Sequence, residues 1–203
     1  MQYKIVLSSM MNLTKRQKEI VEASLEIIGE GGIQALTIKN ISKKVGISEP
    51  AIYRHFDSKT QILLTILDFF IINNKQLIQQ DLKQNKNVLE VIELLFDNFI
   101  KTFLEYPYLI SVIFSEEIFR NDEVFKEKSS LIINENYAMI TGLIRKGQEK
   151  NEIRSDLDAA SLATIIMGSL RLCVKRWQMS DYAFSLKENG NRLKQTILKI
   201  LLK

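Results

Sequence analysis

Apolar residues recur along this chain at the three- and four-residue spacing of amphipathic helices. The first such helix begins at Thr14, a residue type that caps helix N-termini. Its apolar positions fall on one face and are Ile20, Ala23, Ile27 and Ile28. We expect the helix to end in the glycine cluster Gly29, Gly31 and Gly32, where the chain needs positive φ angles.

Two short helices follow, separated by a very tight turn. Thr37 caps the first, Gly46 ends it, and its inward stripe consists of Ile38, Ile41 and Val45. Only one residue separates Gly46 from Ser48, the next capping residue. Helices joined in this way must cross steeply, and the small Ser42 on the turn side allows the close approach. The pattern therefore predicts a helix-turn-helix.

The rest of the chain reads as longer helices, and two prolines with eight glycines leave little turn chemistry for a many-stranded sheet. The predicted ranges are 58–84, 88–106, 122–150, 157–178 and 185–202. Asp156 or Asp158 is expected to cap the helix at 157–178. We predict an all-α fold of about nine helices, divided into an N-terminal three-helix domain at 1–60 and a C-terminal helical domain at 61–203.

Composition excludes several classes of protein. No window of 18 consecutive apolar residues exists, so a membrane span is not expected, and the first residues lack a signal-peptide core. The single cysteine, Cys173, has no partner for an internal disulfide. We expect a cytoplasmic protein without cofactor or metal. The formal net charge is +4, and residues 1–59 hold nine Lys or Arg against six Asp or Glu, which places +3 of it in the first third.

The third helix begins in the stretch ISEPAIYRHF, which contains the only histidine. On a helical wheel with about 100° per residue, Ile52 and Phe56 define the buried side, and the opposite side is formed by Pro50, Ala51 and Arg54. In a major groove this outer side meets base edges. The guanidinium of Arg54 can donate two hydrogen bonds to guanine, and Pro50 and Ala51 offer apolar contact to a thymine methyl.

Neighbouring residues are suited to the DNA backbone. Tyr53 and His55 lie on the two flanks of the wheel, where side chains meet phosphates. Lys59 follows near the start of the next helix, which Ser58 caps. Because Pro50 has no N–H, we expect the Ser48 side chain to cap the helix through the N–H of Ala51.

The stretch LTIKNISKKVGISEPAIYRHFDSKTQIL resembles the DNA-binding region of the TetR family of transcriptional regulators. The matching features are the Thr-capped second helix, the Gly-x-Ser turn, the Tyr-x-His-Phe ending and the lysine after it. The match covers about residues 14–63. Three positions depart from the family pattern: Ser42 and Val45 stand where alanine is common, and Glu49 stands where a basic or small residue is frequent.

The resemblance implies roles for individual residues. Phosphate contacts are implied for Thr37, Ser48, Tyr53, His55 and Lys59. Base reading is implied for the residues from Ser48 to Arg54, so our base-reading set is Glu49, Pro50, Ala51 and Arg54. Glu49 stands where a basic or small residue is frequent; it either accepts from a cytosine amine or complements the helix dipole.

Eight aromatic residues lie between positions 96 and 125. Such a stripe is either plain core or the lining of a pocket, since pockets are also predominantly apolar. The TetR resemblance favours a small effector, and we expect a rather apolar one. The candidate effector residues are Phe96, Phe99, Phe103, Phe114, Asn134 and Arg171.

Small residues recur every four positions in the predicted helix at 157–178, where they form a groove that a second helix can approach. The resemblance implies that this helix and the last one pair with their copies in a homodimer. The alternatives are internal packing, or a division in which different faces serve the two purposes. The candidate interface residues are Ala160, Thr164, Gly168, Leu193 and Ile197. A dimer is physically sensible, because one short recognition helix reads too few base pairs.

We therefore expect a homodimeric regulator, a repressor of transcription released from a palindromic double-stranded DNA operator by an effector. One alternative is a DNA-binding protein of the same fold that has no effector and serves chromosome organisation or cell division. The other is an enzyme or carrier, which the absence of a catalytic cluster in the sequence disfavours.

Overall fold

The computed structural model of the chain describes residues 13–68, 87–114 and 122–202, which form helices joined by turns and contain no strand. Nine α-helical segments lie in these ranges: α1 (Lys15–Gly31), α2 (Ile38–Val45), α3 (Glu49–Tyr53), α4 (59–68), α5 (Val88–Glu105), α6 (Leu109–Ile113), α7 (Glu123–Glu149), α8 (Ala159–Met179) and α9 (Leu186–Leu201). The all-α prediction is confirmed. The predicted helix at 58–84 lies outside the described residues from position 69 onward. Of the helices described, none is both long and apolar enough to cross a membrane.

Capping residues predicted from the sequence begin several of these helices. Thr14 and Gln17 form a reciprocal capping box at α1, in which the Gln17 N–H donates to Thr14 Oγ1 at 3.2 Å and the Thr14 N–H donates to Gln17 Oε1 at 3.0 Å. The side chains of Thr37 and Asp158 each accept from the N–H three residues later, at 3.1 and 2.7 Å. Asp158, rather than Asp156, therefore caps α8.

The end of α1 differs from the prediction that all three glycines adopt positive φ. The helix continues through Gly29 and Gly31, and of the three only Gly32 has a positive φ, at +71°. Gly29 serves a different purpose, since a Cβ added there would lie 2.2 Å from the Tyr108 ring. The missing side chain of Gly29 thus makes room for an aromatic ring from the turn before α6.

The chain divides into two compact units, and each unit is made of two separate stretches of the sequence. The first contains Met1–Ile71 and Glu105–Ser129, and the second contains Ile72–Leu104 and Ser130–Lys203. The helix-turn-helix thus shares its unit with α6 and the first turns of α7. The boundary predicted at residue 60 separates the chain by function, and it stays a prediction.

The first unit has a continuous apolar core. Its fully buried side chains include Ile20, Ile28, Leu36, Ile41, Ile52, Ile62, Ile66, Leu109 and Phe125. Each such side chain contributes about 1.5–3 kcal/mol relative to exposure, so this core is the main source of stability for the DNA-binding helices.

In the second unit α9 packs closely on α5. A Cβ on Gly190 would meet Ile100 Cδ1 at 2.7 Å, which explains a glycine in the middle of a helix. One turn further, the buried Lys194 reaches Asp97 at 2.7 Å and Glu93 at 3.1 Å. Burial opposes the charge of Lys194, but the hydrogen bonds and charges of the two carboxylates outweigh it and raise the pKa of Lys194. Amphipathic periodicity gives no sign of this buried cation.

The role of Gly29 can be tested with a matched pair of glycine substitutions. Gly29→Ala is expected to lower the free energy of unfolding by about 1–3 kcal/mol, because overpacking against Tyr108 exceeds the gain in helix propensity. Gly142→Ala in α7, where an added Cβ would meet no atom within 4 Å, should instead stabilise by up to about 1 kcal/mol. Denaturant unfolding of both variants checks the prediction, and stabilisation by Gly29→Ala would contradict it.

Candidate nucleic-acid interface

The turn between α2 and α3 has the geometry of a tight helix-turn-helix. Gly46 ends α2 in the left-handed region with φ 75° and ψ 33°. The N–H groups of Gly46 and Ile47 both donate to the carbonyl oxygen of Ser42, at 2.9 and 3.0 Å. The Ser42 side chain is buried and donates to the carbonyl of Lys39. Its small size therefore permits the close approach that the sequence predicted.

Helix α3 is short, and its orientation is set by burial. Ile52 and Phe56 are buried, as the helical wheel predicted. The N–H of Phe56 donates to the carbonyl of Ile52 at 3.1 Å, so the helical path extends just beyond Tyr53. Gln17 Nε2 in α1 donates to the carbonyl oxygen of His55 at 3.2 Å. These contacts hold the outer face of α3 toward solvent.

Three of the predicted base-reading residues lie on that outer face: Pro50 and Arg54 are exposed there, and Ala51 is half-buried. Glu49 is exposed at the start of α3, one turn before Ile52 and therefore beside the outer face rather than on it. Among the described residues, no acidic side chain forms an ion pair with Arg54. Its guanidinium is therefore not occupied by an internal partner in this part of the chain.

The predicted phosphate-binding residues surround this face. Tyr53 is 50% exposed, His55 is half-buried, and Thr37 is exposed at the start of α2. Lys59 is the exposed first residue of α4. Ser58 caps α4, because its Oγ accepts from the N–H of Gln61 at 3.1 Å. All of these residues belong to the first compact unit.

The expected cap of α3 by the Ser48 side chain is wrong. The N–H of Ala51 donates to the backbone carbonyl of Ser48 at 2.9 Å, and the Ser48 side chain makes no capping hydrogen bond. Because Pro50 offers no N–H, the tight first turn of α3 meets its hydrogen-bonding needs through the backbone. The Ser48 hydroxyl has no capping role, which leaves it suited to donate to a phosphate.

The ammonium group of Lys44 is paired with two carboxylates of α1. Its Nζ lies 2.8 Å from a Glu30 carboxylate oxygen and 3.1 Å from one of Glu26. The hydrogen bond to Glu30, supported by Glu26, raises the pKa of Lys44 against a smaller opposing effect of burial. This lysine links α2 to α1.

The candidate effector residues do not share one environment. Phe96 and Phe103 are fully buried in α5, and Phe99 contacts Phe103 edge-on with a centroid distance of 4.8 Å. Asn134 in α7 and Arg171 in α8 are exposed. Phe114 belongs to the first compact unit, whereas the other five belong to the second. The pocket stays a prediction.

The candidate dimer residues occupy two kinds of position. Thr164 and Gly168 are exposed, Ala160 and Leu193 are half-buried, and Ile197 is buried within the chain. Sequence reasoning missed a row of exposed apolar side chains on the same helix, α8: Ile165, Leu172 and Met179. Their seven-residue spacing, which places them on one face, was the available signal.

Two family descriptions match successive parts of the chain. Residues 20–66 match the bacterial regulatory proteins of the tetR family, and residues 69–201 match the C-terminal region of YsiA-like proteins. The chain belongs to the TetR family of bacterial regulatory proteins. It is therefore a DNA-binding transcriptional regulator, and its helix-turn-helix lies where the family predicts.

Individual relatives of this TetR-family chain differ in their described roles. A fatty acid metabolism regulator protein of Bacillus subtilis (strain 168) is 22% identical, over 93% of this chain and 95% of the relative. A nucleoid occlusion factor, SlmA, of Aliivibrio fischeri (strain MJ11) is 24% identical, over 87% and 90%. The crystal structure of the transcriptional regulator FadR from Bacillus subtilis in complex with stearoyl-CoA has a TM-score of 0.73 and 22% identity, over 90% and 98%. That likeness in structure shows a shared fold.

Because the Ser48 side chain makes no capping hydrogen bond, a substitution at Ser48 can change DNA binding without changing stability. Ser48→Ala should change the free energy of unfolding by less than about 0.5 kcal/mol, because no capping bond is lost. If Ser48 makes the predicted phosphate contact, the same substitution should weaken DNA binding at least about fivefold. Thr37→Ala is the control, since it removes a predicted phosphate contact and also the N-cap of α2, which contributes about 1 kcal/mol to the free energy of unfolding. Denaturant unfolding and fluorescence anisotropy with labelled duplex measure both effects; equal destabilisation by the two substitutions would contradict the prediction.

Proposed function

We propose that this TetR-family chain is a homodimeric repressor that binds a palindromic operator and leaves it on binding a long-chain acyl-CoA. The observation that carries the DNA-binding part is the outer face of α3, where Pro50 and Arg54 are exposed, with Glu49 exposed beside it at the start of the helix. In this proposal Arg54 reads guanine, Pro50 and Ala51 contact a thymine methyl, and Glu49 complements the helix dipole or accepts from cytosine.

The proposed backbone contacts surround these base readers. Thr37, Ser48, Tyr53, His55 and Lys59 supply hydroxyl, imidazole and ammonium groups around α3. Such groups fix the register of a protein on DNA without reading sequence. The presence of base-reading residues beside phosphate-binding residues supports sequence-specific rather than nonspecific DNA binding in this proposal.

The proposed dimer forms through the exposed face of α8. Ile165, Leu172 and Met179 share this face with Gly168, where an added Cβ would meet nothing within 4 Å. The opposite side of α8 is buried within the chain and includes Leu162, Ile166 and Val174. An apolar row with a small residue in it suits a second copy of α8. Ala160, Thr164 and Leu193 are assigned to the surrounding interface, whereas Ile197, at 3% exposure, packs within the chain and supports this surface from behind.

Leu172→Asp is expected to convert the dimer into a monomer, because Leu172 is 60% exposed in the single chain and central to the row. Affinity for a palindrome should fall at least about tenfold, since two half-sites are no longer bound together. Leu131→Asp in α7, where Leu131 is 56% exposed, is the matched control and should remain dimeric. Analytical ultracentrifugation measures the assembly state. A dimeric Leu172→Asp protein would refute this interface.

The effector class rests on two supports. The second unit contains a dense apolar interior, with Ile92, Phe96 and Phe103 almost fully buried in α5. Relatives of this chain include a fatty acid metabolism regulator and a FadR crystallised with stearoyl-CoA. An acyl chain matches an aromatic and aliphatic lining, and a polar headgroup matches Asn134 and Arg171 in the proposed site.

The proposed mechanism is a population shift. An acyl-CoA that binds better to a conformation unable to fit both half-sites lowers operator affinity by the ratio of its two affinities. The coupling is reciprocal, so operator DNA must weaken acyl-CoA binding by the same factor.

The test begins with selection of bound sequences from a random duplex pool, followed by titration of the selected duplex with stearoyl-CoA. We expect a palindrome with half-sites about 34–36 Å apart, and stearoyl-CoA should weaken its binding at least about fivefold. Free CoA and stearate are the controls for headgroup and chain. Calorimetric binding of stearoyl-CoA without a change in DNA affinity would refute the coupling.

The same experiment distinguishes the proposed acyl-CoA-responsive repressor from a second candidate function. The similarity to a nucleoid occlusion factor favours a DNA-binding protein without an effector, acting in chromosome organisation or division. Such a protein also selects a sequence motif if it reads bases, but no acyl-CoA binds it or changes its DNA affinity.

A further inference from the structure

Helix α4 is held at two points by side chains from the start of α7. The hydroxyl of Thr60 donates to Asp122 Oδ2, and Asp68 Oδ1 lies 2.9 Å from Lys128 Nζ. The members of the first pair are 62 residues apart in sequence, yet all four residues belong to the first compact unit. These two contacts, Thr60–Asp122 and Asp68–Lys128, are termed the α4 clasp.

Asp122 connects the α4 clasp to the beginning of α7. Its Oδ1 accepts from the N–H of Phe125 at 3.0 Å, and its carbonyl accepts from the N–H of Lys126 at 3.0 Å. One carboxylate therefore caps α7 with one oxygen and binds Thr60 with the other. Phe125 is fully buried, so the first turn of α7 is anchored in the core.

The two contacts of the clasp differ in strength. The Thr60–Asp122 bond is partly buried and has an ionised acceptor, which makes it about twice as strong as a neutral hydrogen bond. Asp68 and Lys128 are 46% and 37% exposed, and such pairs add little to stability. The second contact lies about two turns along α4 from the first, so the Thr60–Asp122 bond is the main contribution of the clasp.

The position of Thr60 bears directly on the DNA-binding surface. Thr60 follows Lys59, whose ammonium group is the proposed phosphate contact, and both lie in the first turn of α4. Successive residues are rotated by about 100° around a helix, so fixing the side that Thr60 presents to Asp122 also fixes the direction of Lys59. Lys59 and Thr60 also lie within four residues of Phe56, one of the two buried side chains that hold α3 in place.

We propose that Asp122 is a positioning residue for DNA binding, and that the α4 clasp holds Lys59 and α3 in the arrangement that fits an operator. The proposal rests on the DNA contacts proposed above, and neither Thr60 nor Asp122 is among the residues assigned to those contacts. A clasp formed in the free protein removes part of the ordering cost of binding. Its loss therefore lowers affinity for every DNA sequence by the same factor.

The variants distinguish loss of the α4 clasp from other changes in local structure. Thr60→Val removes the hydroxyl at nearly constant shape, and Asp122→Ser keeps an N-cap but is too short to reach Thr60. Thr60→Ser retains the hydroxyl as a conservative rescue. Thr65→Val is the matched control on the same helix, because the Thr65 hydroxyl donates only to its own helix, at the Gln61 carbonyl.

The measurement is operator affinity at several salt concentrations. Thr60→Val and Asp122→Ser should each lower affinity about tenfold, and the double variant should be no weaker than either alone. The slope of log affinity against log salt should stay at the wild-type value, whereas Lys59→Ala should reduce it by about one. Thr60→Ser and Thr65→Val should stay within about twofold of wild type. Unchanged affinity, additive losses or a changed salt slope in Thr60→Val would overturn the proposal.

Hydrogen exchange of the free protein gives a readout that needs no operator. Amides of residues 59–68 should exchange faster in Thr60→Val than in Thr65→Val, while those of α2 stay unchanged. Equal exchange in both variants would overturn the clasp even if no operator is found. Absence of sequence-selective binding by the wild-type chain would instead overturn the proposed function, so the two failures are distinct.

Discussion

Burial of Ile52 and Phe56 is the constraint on which the DNA-binding surface depends. A helix of five residues is unstable alone, since its few hydrogen bonds do not offset the cost of ordering the chain. Helix α3 exists because two apolar side chains one turn apart are removed from water beside α1 and α2. The exposed face of α3 is thus a consequence of its buried face. Gly46 completes the arrangement, since its left-handed conformation lets α3 begin after only three intervening residues from the end of α2.

Features set by local chemistry were predictable from the sequence. The caps at Thr14 and Thr37, the turn at Gly46 and the buried side of α3 each depend on residues within a few positions of one another. For α8 the sequence left Asp156 and Asp158 as alternative caps, and the structure selects Asp158. Helix boundaries followed within one or two residues for α5, α7, α8 and α9, because the apolar spacing and the capping residues agree there.

Features set by contacts between distant segments were not predictable. Gly29 looks like a helix terminator until Tyr108 is seen against it, and Lys194 looks like a surface residue until Asp97 and Glu93 are seen beside it. The Ser48 cap failed for a smaller reason, because the backbone carbonyl of the same residue competed for one N–H. The Thr60–Asp122 pair joins residues whose types carry no sign of each other in the sequence.

The close approach of Gly190 to Ile100 limits how far the second unit, which contains most of the candidate effector residues, can change its shape. Backbone atoms of α9 lie directly against a side chain of α5, and Lys194 joins the same two helices one turn later. Close-packed groups of this kind do not separate gradually, so α5 and α9 form a rigid wall. Any widening of the proposed effector site to admit a longer or bulkier molecule must therefore come from parts of the second unit that do not pack in this way, such as α7 and α8, and selectivity for molecular size becomes a property of those parts.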